Sequence, residues 1–325
     1  MTKPALLVVS PLPAAVARRA AADCDATFAP GRNLTPDEVV AHCRDVGADA
    51  ILLTGRVPMK ANHIAALPAR VRILATCSVG YDHVDVAAAA ARGLPVANTP
   101  GANADAVAEL AVGLMFALAR NIPAGHASVV SGGWDRRVGS QLGGKTLGIV
   151  GLGNIGRRLA LLARGLGMRV AAADPHADRA FAAANDIALM ELDDLLAAAD
   201  YVSLHVFGGA GNAALIDAGR IARMKPSACL LNLARGEVVD LDALAGALDA
   251  GRLGGVALDA YVTEPPDVSH PVFRHPRAVF MPHSGADTVE ALENVGLMNI
   301  ADIQELMAGG RPARVLNPEV FEDRR

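Results

Sequence analysis

Aromatic side chains are scarce in this chain: Phe, Tyr and Trp together make 3 % of 325 residues, with Trp134 the single tryptophan. Hydrophobic residues still reach 52 %, so the core must be assembled from Ala, Val and Leu. Cysteine is nearly missing too. Cys24, Cys43, Cys77 and Cys229 are scattered, with no C-x-x-C pair. That spacing argues against a disulfide framework or a thiolate zinc site and fits reduced thiols in a cytoplasm. No H-E-x-x-H and no G-x-S-x-G occurs, so zinc-protease and serine-hydrolase chemistry lack a signature, and no metal site is expected. There is no Lys/Arg run and the net charge is only −4, which removes the electrostatic case for nucleic acid or an anionic membrane as partner. Long hydrophobic runs are missing as well. The most apolar stretch, near Ala106 to Ala119, carries Glu109 and is too short to span a bilayer. Met1-Thr2-Lys3-Pro4 leads straight into strand-like sequence, so no signal peptide is expected.

What is present is alternation. One series of short apolar runs comprises Ala5–Val9, Ala26–Phe28, Asp49–Leu53, Arg72–Ala75 and Pro95–Asn98. A second comprises Thr146–Val150, Arg169–Ala173, Tyr201–His205, Cys229–Asn232, Gly255–Leu258 and Ala278–Met281. Each run is separated from the next by helical sequence, the pattern of parallel βαβ units. The fold class is therefore α/β, with two doubly wound parallel-sheet domains. Asn103 to Arg120 reads as one long helix bridging them. Thr288 to Met307 reads as a last helix that returns to the first domain. This predicts a discontinuous domain over residues 1–100 and 288–325, with a second domain over 101–287 inserted in it. Residues 121–144 are Gly-rich, hold Trp134, and read as a long loop serving as an arm or interface.

Only the second series carries Gly151-Leu152-Gly153-Asn154-Ile155-Gly156, placed between the run Thr146–Val150 and helical sequence from Arg157 to Gly165. The next run ends in Asp174, 18 residues beyond the third glycine. G-x-G-x-x-G between strand and helix, with an acid closing the next strand, is a dinucleotide-binding signal. The first glycine permits the turn, the second admits a pyrophosphate, and the third lets helix and strand approach. The helix N-terminus offers free amides to the phosphates. Asp174 would accept hydrogen bonds from the adenosine ribose and repel a 2′-phosphate, which favours NAD(H).

A dinucleotide alone defines no reaction. Three groups stand just past successive runs of the second series: Arg235 in Asn232–Gly236, Glu264 in Leu258–Pro266, and His283 in Met281–Gly285. Ligands of open α/β sheets sit beyond the carboxyl ends of the strands. Alone, each residue has another reading: a helix cap or surface ion pair for Arg235, a solvated turn for Glu264, packing for His283. Together they suit carbonyl reduction. Arginine grips a carboxylate and polarises the adjacent carbonyl, while a protonated histidine, steadied by a carboxylate, donates to the oxygen.

Further segments fit the same picture: Cys77–Asp85, Asn98–Ala102, Ala108–Ala111, Leu142–Gly151 and Met224-Lys225-Pro226. With the glycine turn and the Arg235, Glu264 and His283 segments, nearly the whole chain resembles the D-isomer-specific 2-hydroxyacid dehydrogenases. The resemblance implies a Rossmann NAD-binding domain inserted in a flavodoxin-like substrate domain. It implies Arg235 as catalytic arginine, Glu264 as the acid orienting the histidine, and His283 as proton donor. Val79 and Gly80 would hold the substrate carboxylate through backbone amides, together with Arg235. Gly151, Gly153, Asn154, Ile155, Gly156, Asp174, His205, Leu233 and Asp259 would line the cofactor, with Asp259 on the nicotinamide carboxamide. The arm holding Trp134 would reach a second copy, giving a homodimer.

Within that family, Leu53–Pro58 and Ser78–Asp82 resemble glyoxylate and hydroxypyruvate reductases, the preferred reading. 3-Phosphoglycerate dehydrogenase is the rival, with Arg56 and Lys60 available for a phosphate. A different class, the NAD-sensing corepressors sharing this fold, would keep the glycine turn but needs no Arg–Glu–His set. One stretch departs from the family. His205 is followed by Val206-Phe207-Gly208-Gly209-Ala210-Gly211-Asn212 where Pro-Leu-Thr is usual, which alters the wall around adenine. Phe207 either packs on adenine or covers core.

Overall fold

A computed structural model describes residues 3–209 and 211–322. Ala210, within the His205–Ile216 run, lies outside these, as do Met1, Thr2 and residues 323–325. The chain packs into two compact units, one holding the residues up to Asn103 and those from Asp287 onward, the other Ala104–Ala286.

The first unit is built on β1 (Ala5–Val8), β2 (Asp25–Phe28), β3 (Ala50–Thr54), β4 (Ile73–Cys77) and β5 (Val96–Ala97), all parallel, in the order β2-β1-β3-β4-β5. β1, β3 and β4 are apolar on both faces because helices cover both. The edge strand β5 is two residues long. Pro95 has no N–H to give a ladder, and the Asn98 amide donates instead to the Arg314 carbonyl at 3.2 Å. Beyond β5, the buried Asn317 side chain accepts from the Val96 amide and donates to the Leu94 carbonyl, both at 2.9 Å. The last helix, Val289–Met307, is capped by Thr288, whose hydroxyl accepts the Ala291 amide, and lies on β4 and the helix Ala14–Asp23. There Gly296 leaves no room beside Val16 for a Cβ.

The second unit is a seven-stranded parallel sheet of β6 (Thr146–Val150), β7 (Arg169–Ala173), β8 (Ala188–Leu189), β9 (Tyr201–Leu204), β10 (Cys229–Asn232), β11 (Gly255–Leu258) and β12 (Ala278–Phe280). Their order is β12-β11-β10-β9-β6-β7-β8. The chain runs outward from β6 through β7 to β8, then restarts at β9 in the opposite direction. The switch point therefore falls between β6 and β9, where Val150 pairs Leu204. Crevices at such reversals are where ligands bind in this architecture.

Two features of this unit differ from the expectation. β8 is an additional, two-residue edge strand. The 121–144 stretch is not loop throughout: Ile122–Val130 is helical, started by Pro123 in its first turn after Asn121 turns the chain at φ 53°. It buries none of its residues, and 131–141 are exposed. The helix Ala104–Ala119 packs on Asn154–Gly165 and buries Val107, Ala111, Leu114 and Met115. Among the described residues no single helix is long and apolar enough to cross a membrane, and no cluster of three His, Cys, Asp or Glu is placed to hold a metal.

Candidate active site

β6 delivers the chain to the glycine turn. Gly151 has φ +94°, and a Cβ there would stand 2.6 Å from the His205 carbonyl oxygen. A Cβ on Gly156 would strike the Gly151 carbonyl, so helix Asn154–Gly165 crosses the turn at backbone contact. Gly153 differs: its missing Cβ would meet nothing within 4 Å. It is also the N-cap of the helix and contributes no capping side chain, so the first amides of the helix, Asn154 and Ile155 among them, keep their donors for a ligand. An open concave backbone with free amides at a helix N-terminus fits a pyrophosphate.

Asp174 closes β7. Its Oδ2 accepts the Leu152 amide and its Oδ1 the His176 amide, both at 2.8 Å. The carboxylate thus braces the glycine turn, while each oxygen keeps a second lone pair for a ribose hydroxyl. His205 follows β9, across the switch point. Its Nε2 bonds the Ser203 hydroxyl at 2.8 Å, while the buried Nδ1 has no partner. Burial pushes its imidazolium down to about 4, so the ring is neutral at physiological pH.

The three chemistry-bearing residues stand past β10, β11 and β12, which are neighbours in the sheet. After β10, the Asn232 side chain accepts the Ala234 amide at 3.1 Å and donates to the Arg235 carbonyl at 2.8 Å. This folds Leu233 and Arg235 into a tight turn, a duty that nothing in the sequence assigns to Asn232. Leu233 is buried, and the Arg235 Nη1 donates to the Ala234 carbonyl at 2.8 Å. After β12, the His283 Nδ1 lies 2.7 Å from the Glu264 Oε1, each side chain being about two-fifths exposed. An imidazole braced at Nδ1 turns Nε2 outward as a proton donor. His283 has φ 53°, a conformation that costs a non-glycine residue energy and collects at functional sites.

Asp259, buried after β11, holds this loop: its oxygens accept the Ser284 amide at 2.8 Å and the Gly285 amide at 2.9 Å. Burial raises its carboxyl from the usual range, and the two amides offset part of that cost. Asp259 therefore braces the His283 loop, alongside the carboxamide contact that the resemblance implies.

Val79 and Gly80 belong to the first unit, after β4. The carbonyls of this loop all turn inward. Ser78 O accepts the Thr99 amide at 3.2 Å, Val79 O the Asn98 side chain at 2.8 Å, and Gly80 O the Ser78 hydroxyl at 2.7 Å. Because a trans peptide turns its N–H opposite to its C=O, the amides of Val79 and Gly80 face away from these bonds and remain donors.

Comparison with known proteins places the chain in a family. Residues 112–285 match the model of the D-isomer specific 2-hydroxyacid dehydrogenase NAD-binding domain. The chain belongs to that family. D-3-phosphoglycerate dehydrogenase of Mycobacterium tuberculosis is 40 % identical over 264 residues, which are 81 % of this chain and 50 % of the relative. The chain thus spans about half the length of the curated relatives it matches. Among solved structures, a Thermus thermophilus protein has a TM-score of 0.86 at 32 % identity, covering 96 % of this chain and 99 % of its own. A glyoxylate reductase from Paecilomyes thermophila has a TM-score of 0.86 at 27 % identity, covering 97 % and 99 %. As a 2-hydroxyacid dehydrogenase family member, this chain takes a nicotinamide cofactor, and the turn at Gly151–Gly156 fits one.

Proposed function

We propose that the protein catalyses the reversible, NAD-dependent reduction of a small 2-oxo acid to the D-2-hydroxy acid. The observation that carries this reading is the Glu264–His283 pair, 2.7 Å apart at the end of a sheet whose neighbouring strand presents Arg235. A bound nicotinamide supplies or accepts the hydride at C2. The protein's part is the rest. Arg235 grips the substrate carboxylate and polarises the C2 carbonyl. His283 gives its proton to the forming alkoxide, and Glu264, bonded to Nδ1, orients that imidazole as it does. The C–H and O–H bonds are made as the carbonyl π bond breaks; His283 is left neutral and is reprotonated from water. Asp174 disfavours a 2′-phosphate and so selects NAD(H).

Glyoxylate and hydroxypyruvate are the preferred acids, supported by Leu53–Pro58 and Ser78–Asp82. The phosphoglycerate dehydrogenase relatives support 3-phosphohydroxypyruvate as a second reading, with the exposed Arg56 and Lys60 as phosphate ligands. Arg56 is paired with Asp287 at 3.4 Å and Lys60 with the Asp82 carbonyl at 3.0 Å. A phosphate has to compete for both. Loss of NADH absorbance, measured with each of these acids and pyruvate and repeated with NADPH, ranks the substrates and tests Asp174. His283→Ala should lower kcat by about 10²–10⁴-fold; a rate equal to wild type would remove His283 from the mechanism. Tight NADH binding without turnover of any acid would favour the sensor reading.

The exposed Ile122, Val129, Val130, Trp134 and Val138 support a homodimer formed through the 121–144 arm, and the four free cysteines suit a reducing cytoplasm. Sedimentation of Trp134→Ser at falling concentration checks the first: earlier dissociation than wild type is expected.

A further inference from the structure

Tyr261 sits three residues past β11, and its contacts reach all three segments that carry the proposed chemistry. Its amide donates to the Glu264 Oε1 at 3.2 Å, the same oxygen that takes the His283 Nδ1. Its hydroxyl donates to the Met281 carbonyl, 2.8 Å away and two residues before His283, sharing that proton with the Leu258 carbonyl at 3.0 Å. Its own backbone lies against Gly236, next to Arg235, so closely that no Cβ fits between. The ring is fixed from outside by Phe273 at 5.8 Å between centroids, and Phe273 by Phe280 at 4.7 Å. Burial, with Asp259 nearby, pushes the phenol up to about 12, so the hydroxyl stays a donor at any working pH.

We infer that Tyr261 is the positioning residue of this site: it fixes the Met281–His283 segment with its hydroxyl and Glu264 with its amide, setting the geometry of the acid–base pair. Both bonds of its hydroxyl end on backbone carbonyls, so it acts through other residues. His283 is held at φ 53°, and a residue in that region stays there only if its surroundings fix it. Asp259 holds the chain on the far side of His283, at Ser284 and Gly285. On the near side the Tyr261 hydroxyl holds Met281. Removing that bond frees one end of the strained residue while leaving the sheet intact.

The inference rests on His283 as the acid, so the test separates the two claims. Tyr261→Phe keeps the ring and the amide and deletes the hydroxyl. NADH affinity should stay within about twofold, kcat with hydroxypyruvate or glyoxylate should fall about tenfold, and the isotope effect with 4-deuterated NADH should rise as chemistry becomes slower. In ¹⁵N-histidine-labelled protein the Nδ1–H resonance of His283, assigned by its loss in His283→Ala, should broaden in Tyr261→Phe. This second readout needs no turnover. An unchanged resonance with an unchanged isotope effect would overturn the inference. Full activity of His283→Ala would instead overturn the acid–base reading, while the resonance still reports whether Tyr261 holds the pair. 3-Fluorotyrosine at 261 keeps the hydroxyl and should match wild type in rate and resonance; a loss equal to that of Tyr261→Phe would also overturn it.

Discussion

The two units solve the same topological problem and end with different chemistry at the same place. Each sheet reverses direction once, between β1 and β3 in the first unit and between β6 and β9 in the second. In the second, the turn after the reversal strand is Gly151–Gly156, with an acid, Asp174, closing the next strand. In the first, the turn is Ser10-Pro11-Leu12-Pro13, and β2 is followed by Ala29. Ser10 and Thr54 join their hydroxyls across the reversal at 2.9 Å. The helix there begins after Pro13, with no glycine to admit a ligand. Doubly wound topology supplies a crevice; the residues of one turn decide whether a phosphate can enter it.

The contrast can be broken most forcibly at Gly156. Gly156→Ala sets a methyl against the Gly151 carbonyl, so NADH binding should fall by at least about 100-fold and the melting temperature should drop, as titration and scanning calorimetry will show. Next comes His205, at the second reversal. Its imidazole resists protonation down to about 4 in the folded protein, against 6.5 when unfolded. Between those values the unfolded chain binds the extra proton, so stability is lost as pH falls through that window, by roughly 3 kcal/mol. His205→Asn should flatten the stability profile from pH 7 to 4; an equally steep profile would assign the loss to other groups.

Gly153→Val places its side chain in open space, so the fold should hold within a few degrees while NADH affinity drops about 30-fold. That variant separates the turn as cradle from the turn as structure. Asp174→Ser should weaken NADH about tenfold, close to 1.4 kcal/mol, and narrow the gap to NADPH; because Leu152 and His176 also lose an acceptor, part of the loss will appear with both cofactors. The smallest effect belongs to the first unit. Ser10→Ala should cost about 1 kcal/mol in urea unfolding and leave NADH affinity untouched.

The elements that could be read in advance were those with a local signal. The glycine turn announces itself because backbone approaches at Gly151 and Gly156 leave no room for a Cβ, Gly153 keeps the space beside it open, and a strand and helix must flank the three. Glu264 and His283 could be paired in thought because each falls just past an apolar run, and parallel strands bring such points to one edge. The helix Ile122–Val130 had no such signal: it buries nothing, so its sequence carries no apolar stripe, and Gly125 and Pro123 suggest a loop. β8, two residues long, is below the length at which alternation can be seen. Asn232 and Tyr261 are a different case. Both act on backbone atoms that become neighbours only once turns close and β11 and β12 lie side by side, so their roles have no spacing to betray them. Asp259 was legible as a site residue, but its grip on Ser284 and Gly285 was not.

The Asn317 side chain that completes the β5 edge has a consequence for biosynthesis. The second unit is contiguous in sequence and can assemble as soon as residue 286 has emerged from the ribosome. The first unit cannot. Its β5 edge stays incomplete, with the Leu94 carbonyl and the Val96 amide lacking their Asn317 partner, until a segment more than 200 residues downstream is translated. The protein thus matures from the inside outward. A chaperone that shields the waiting N-terminal sheet should raise the yield of the whole protein more than that of the excised nucleotide-binding unit.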